Sequence, residues 1–197
     1  MLRIESARDL LLRELVSAMH NLHETIANIS SEEYDWEPLS PSEQAADCLL
    51  PPERKRVWRV FQQEGHWTYD YTPEALDPPP FTTIAWIINH IAQTADMYLF
   101  CIQSEKAEGI ERTWDDLPVP SNFAMACKYL DEVLAVARGY LLSFPQQQID
   151  EKLNKLTPAP WGEMRPTYVN LWGGVIEHLI LHTMQIAARK DTIRYGF

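Results

Sequence analysis

Apolar residues recur along this chain at the three- and four-residue spacing of a helix, in four separate segments. In the first, Ile4, Leu11, Leu15, Met19, Leu22, Ile26 and Ile29 form one stripe, with Arg8 as its charged member. The second runs from about Phe81 to Gln103 with Thr82 or Thr83 as N-cap, and carries Ile84, Ile87, Ile88, Ile91, Ala95 and Leu99. The third begins at Ser121, another capping residue, and carries Ala126, Leu130, Val133, Ala137, Leu141 and Phe144. The fourth follows Pro166-Thr167 and runs to about Lys190, through Val169, Trp172, Val175, Ile176, Leu179, Ile180 and Ile186. Four long amphipathic segments in 197 residues predict an all-α protein, a four-helix bundle.

The connections are rich in proline, and the one over about 38–80, between the first two helices, is too long for a bundle turn. Its middle reads as strand, turn and strand: Val57 to Phe61, Gln62 to Gly65, then His66 to Tyr71, with Trp67, Tyr69 and Tyr71 alternating. A short helix from Pro52 to Gly65 competes, because Val57, Val60 and Phe61 also have helical spacing. The alternation favours a short β-hairpin inside a long insertion. Trp58, Trp67, Tyr69 and Tyr71 could cover a site or pad a dimer interface, but packing of the hairpin onto the helices is the simpler reading. There is no internal repeat, and the whole of 1–197 reads as one domain.

Composition narrows the function. At 46% hydrophobic, the chain can build its core without a structural ion, so a metal here would serve function. A net charge of −11 disfavours partnership with nucleic acid or anionic lipid. Arg54-Lys55-Arg56 is the one basic cluster and reads as a solvated turn. Cys48, Cys101 and Cys127 are an odd number without C-x-x-C spacing, which argues against disulfides and a cysteine zinc site and suits a reducing compartment. The N-terminal residues carry charge throughout and do not form a signal peptide, and no apolar run has the length of a membrane span. A cytoplasmic protein is expected.

The candidate chemistry lies in the histidines. His178 and His182 are four apart in the fourth helix, about 40° apart around its axis, so both rings can reach one ion. They lie amid Val175, Ile176, Leu179, Ile180 and Leu181, where unsatisfied imidazoles would cost desolvation. His90 occupies an equally apolar stretch of the second helix; alone it would read as a core histidine, but with the pair it completes a three-imidazole set. Gly173 and Gly174 interrupt the fourth helix at about 1 kcal/mol each relative to alanine. Gly174, one turn before His178, either leaves room beside a metal or lets a neighbouring helix approach. His20 and His23 on the first helix could add a ligand or a supporting partner, with a partly buried structural role the better reading for His23. His66 carries no further signal, and Glu177 points about 100° away from His178.

Three stretches resemble the DinB superfamily, including its YfiT-like members. They are Ser31-Glu32-Glu33-Tyr34-Asp35-Trp36-Glu37-Pro38, the helix from Phe81 to Ala92 with His90, and the helix from His178 to Ala187 with both histidines. The resemblance implies a four-helix bundle, often dimeric, in which His90, His178 and His182 hold one divalent ion, nickel or zinc. It also implies, from similarity to transferases of that superfamily, a low-molecular-weight thiol as co-substrate for a small-molecule electrophile. The thiol would be activated as a metal-bound thiolate, and a metal-dependent hydrolase using bound water is the close relative; no catalytic side chain is identified. The contrasting class is a non-catalytic helical bundle that binds a metal or ligand and works through a protein partner in a stress response. H-E-x-x-H, E-x-x-H, G-x-S-x-G and phosphate-binding glycine loops are all absent from the sequence.

Overall fold

The computed structural model of the chain describes residues 6–72, 75–104, 112–143, 145–157 and 166–196. In chain order these form α1 (Ala7–Ile26), α2 (Ser31–Asp35), α3 (Pro41–Cys48), β1 (Val57–Trp58), β2 (Val60–Gln63), β3 (His66–Tyr69), β4 (Phe81–Thr82), α4 (Ile84–Gln103), α5 (Phe123–Ser143), α6 (Gln146–Lys152) and α7 (Tyr168–Tyr195). Single 3-10 turns lie at Pro52–Arg54 and Trp114–Asp116. The described chain is mostly helical, with two small sheets of two strands each.

The caps set where the long helices begin. Ser6 Oγ accepts from the Asp9 amide, Thr83 Oγ1 from Trp86 and Thr167 Oγ1 from Asn170, each occupying one of the N–H groups that a first turn leaves unpaired. At α5 the cap is Asn122 rather than Ser121: its Oδ1 accepts the Met125 amide at 3.0 Å. The fourth segment runs on past Lys190 to Tyr195, where Gly196 turns left-handed at φ 70° and closes the helix. Ile4 and Phe144, expected in the first and third stripes, lie outside the described residues.

The stripes face one another. Helix α1 packs on α5 and α7, and α4 packs on the same two, so the four long helices form a closed circuit. Leu15, Leu22, Ile87, Ile88, Ile91, Leu130, Leu134, Leu141, Trp172 and Leu179 are buried where they meet. Helix α4 is buried along most of its length. Among the described residues no helix is long and apolar enough to cross a membrane.

The insertion contains the expected hairpin, shorter than the alternation predicted. Strands β2 and β3 pair antiparallel from Val60↔Tyr69 to Gln63↔His66, around a two-residue turn with positive φ at Glu64 (50°) and Gly65 (84°). Val57 and Trp58 leave the hairpin at Arg59 and pair in parallel with Phe81 and Thr82, which ties the middle of the insertion to the residues just before α4. The competing helix is confined to the 3-10 turn at Pro52–Arg54.

Buried charge holds this segment in shape, and it corrects the reading of the basic triplet. Lys55 is buried, with its ammonium on the Asp70 carboxylate and over the Phe61 ring. Asp70 Oδ2 also accepts the Arg59 amide. Asp47, also buried, accepts from the amides of Arg56 and Val57 and from the Arg59 guanidinium, which also binds Glu37. Of the triplet, Arg54 and Arg56 keep the expected exposure, Arg56 at 56% of its side chain.

Candidate metal centre

Two helices supply the site. Helix α4 carries His90 and α7 carries His178 and His182, and α4 and α7 pack directly on each other. The nitrogen ligand atoms of the three rings lie within 4.8 Å of one another. The ring centroids are 5.6 Å apart for His90 and His178, 5.0 Å for His90 and His182, and 5.4 Å for His178 and His182. Two nitrogens sharing one ion at about 2.1 Å each lie at most about 4.2 Å apart, so small ring rotations bring this set into ligation.

The second nitrogens support the fit. His178 Nδ1 lies 3.0 Å from the Gly174 carbonyl oxygen, and His182 Nδ1 lies 2.7 Å from Gln185 Oε1. Both partners can only accept, so each Nδ1 carries the hydrogen and donates it. The Nε2 lone pairs are left for an ion, the tautomer that metal-binding histidines with a carbonyl partner adopt. Burial, helped by His182 and His178, pushes the His90 pKa down to about 3, and burial also lowers that of His182. Both rings are therefore neutral at physiological pH, as a ligand must be.

Aromatic rings surround the cluster. Trp86 stacks on His90 with centroids 4.6 Å apart and planes 19° from parallel. Trp58 and Tyr69 from the insertion pack against Trp86, and Tyr71 packs against both of them. Packing onto the helices therefore accounts for Trp58 and Tyr69, while Trp67 stays 42% exposed. Tyr98, two turns beyond His90, meets the His178 ring edge to face at 5.9 Å.

Tyr98 also decides between the two readings of Gly174. A Cβ added there would lie 2.5 Å from Tyr98 Cε2, so the glycine permits close approach of α4 and opens no space for a substrate. At Gly173 an added Cβ would meet nothing within 4 Å. Gly173→Ala is therefore expected to stabilise the protein by roughly 0.5–1 kcal/mol in a urea titration, the helix-propensity difference. Gly174→Ala should fail to stabilise, because it displaces Tyr98 from His178. Equal gains at both positions would show that the Tyr98 contact is not a close one.

The first-helix histidines lie elsewhere. His23 Nε2 is 2.8 Å from Asp131 Oδ1 and joins α1 to α5, but its side chain is 44% exposed, so the contact lies at the surface and not at the partly buried position expected. His20, His66 and Glu177 are exposed, and none of them belongs to the cluster. The partners that sequence reasoning did not single out are Gln185, three residues after His182, and the aromatics Trp86 and Tyr98. The position of Gln185 one turn along the same face was the available signal; Trp86 and Tyr98 read as ordinary core residues.

With the geometry in place, comparison with known proteins identifies the family. A family model of the DinB superfamily matches residues 14–186, a span that includes all three histidines. The chain is also similar to a crystal structure described as the conserved protein of a locus from Enterococcus faecalis, with a TM-score of 0.52 and 14% identity, over 98% of this chain and 99% of that one. At that identity the likeness concerns the fold alone. None of the curated proteins matches. The chain belongs to the DinB superfamily.

Proposed function

We propose that this is a metal-dependent enzyme in which His90, His178 and His182 hold one divalent ion, nickel or zinc, for transfer of a low-molecular-weight thiol to a small electrophile. In this reading α1, α4, α5 and α7 form a four-helix bundle, and 1–197 is a single domain of a cytoplasmic protein. The observation that carries it is the convergence of three imidazoles, two of them held by carbonyl acceptors at Nδ1. An ion bound by three imidazoles keeps a coordination position for substrate and lowers the pKa of a thiol or water placed there.

The protein's own part is orientation. The Gly174 carbonyl and Gln185 fix the tautomers of the α7 pair, and Trp86 covers one face of His90 and keeps water from it. No side-chain nucleophile is needed, because the thiol brings its own. Ile180, Leu181 and Met184, exposed on α7, offer the apolar surface that a homodimer would use.

The test mixes nickel- or zinc-loaded protein with an alkylating fluorogenic electrophile and a panel of low-mass thiols. The expected result is thiol consumption above that with metal-free protein and with His182→Ala. Electrophile loss that is metal-dependent but indifferent to thiol would assign hydrolysis instead. No acceleration over the metal-free protein would overturn the enzymatic reading.

A further inference from the structure

We propose that Trp86, anchored to the insertion through Asp70, is the positioning residue for His90, so that the insertion sets the geometry of the α4 ligand. The inference rests on the metal-binding reading above and concerns how the chain prepares that site. His178 and His182 are each held by a hydrogen bond at Nδ1. Among the described residues the His90 ring has no such bond, and its neighbour is the indole face of Trp86, 4.6 Å away and 19° from parallel. A flat ring against a flat ring leaves sliding possible and removes rotation, and rotation is the movement that would swing the His90 lone pair away from the α7 pair.

The position of Trp86 is in turn set from outside α4. Its indole N–H donates to the Asp70 backbone carbonyl at 2.6 Å, a bond buried from solvent. Trp58 packs on the indole at 5.3 Å and Tyr69 meets it edge to face at 6.3 Å, and both belong to the insertion. Asp70 itself is fixed by its fully buried carboxylate, which holds the Lys55 ammonium and the Arg59 amide. A chain of contacts thus runs from a buried ion pair in the insertion, through one backbone carbonyl and one indole, to a metal ligand.

Cobalt(II) is the probe, because its visible absorption reports the ligand field directly. Affinity and spectrum are measured for the wild type, Trp86→Leu (stack lost), Trp86→Phe (a ring kept, the tether to Asp70 lost) and Asp70→Asn (the ion pair broken). Leu141→Ala, a truncation of a fully buried side chain on α5, a helix that carries none of the three histidines, controls for general destabilisation. Circular dichroism of each metal-free protein confirms folding, and Trp86→Phe carries the test should Trp86→Leu not fold. The expected result is a roughly 10–100-fold loss of cobalt affinity in the Trp86 and Asp70 variants, the usual effect of removing a partner that orients a ligand, together with an altered spectrum. Leu141→Ala should keep both. Wild-type affinity and spectrum in the variants, or an equal loss in Leu141→Ala, would overturn the proposal. A wild type that binds no cobalt would instead remove the metal-binding reading itself.

Discussion

Replacing His178 with alanine is expected to lower bound metal from about one equivalent per chain to none while leaving the helices folded. His178 shares α7 with His182 and faces His90 across the helix contact, so its loss breaks both the i, i+4 pair and the convergence from two helices. The two rings left behind are a weak site for any divalent ion. The fold should survive, because the half-exposed imidazole adds little to a core built from Leu179, Trp172, Ile87, Ile91 and Leu130. Elemental analysis after dialysis against dilute mixed divalent ions measures the outcome and names the preferred ion. Metal retained by the variant would place the site elsewhere. Metal absent from variant and wild type alike would make the histidines packing residues and bring a partner-binding role forward.

The second large effect is expected in the insertion. Asp47→Ala should lower stability by about 3 kcal/mol in a urea titration. Its carboxylate is 1% exposed and accepts from the amides of Arg56 and Val57 and from Arg59, whose own side chain is 11% exposed. Alanine would leave the buried Val57 amide and the half-buried Arg56 amide without their acceptor, and Arg59 with Glu37 as its remaining carboxylate. Those amides open β1, so the parallel pairing with β4 should loosen first and Trp58 fluorescence should report it. A loss below about 1 kcal/mol would mean that water replaces the carboxylate and the network is not buried in solution.

What the chain disclosed of itself follows the range of the interactions. Helices α1, α4, α5 and α7 were legible because burial on one face writes a 3.6-residue period, and Thr83 and Thr167 also punctuate the starts of α4 and α7. The three histidines were legible for the same reason, as polar groups at ligand spacing in apolar helices. Helices α2 and α3 carry a shorter signal: Ser30 with Glu33 and Ser40 with Glu43 are capping boxes, serine followed three residues later by glutamate. The pairing of β1 with β4 left no such mark, since two-residue strands 24 positions apart show no period. Lys55 was misread because its partner Asp70 stands across the hairpin, and a basic triplet viewed alone looks solvated. Gly174 required Tyr98 to be in view before its purpose was decided.

The junction of β1 and β4 has one more consequence. Because Val57 meets Phe81 and Trp58 meets Thr82, the stretch between them departs and returns at a single neck, just before α4. For a loop closed in this way, doubling the length costs only about 0.6 kcal/mol of closure entropy. The hairpin tip from Gln62 to Trp67, exposed throughout, is therefore cheap to lengthen, shorten or exchange, whereas Tyr69 and Asp70, which hold Trp86, are not. The architecture thus sets a replaceable tip on a fixed base, so the outer edge of the insertion can be remade without disturbing the contacts that reach His90.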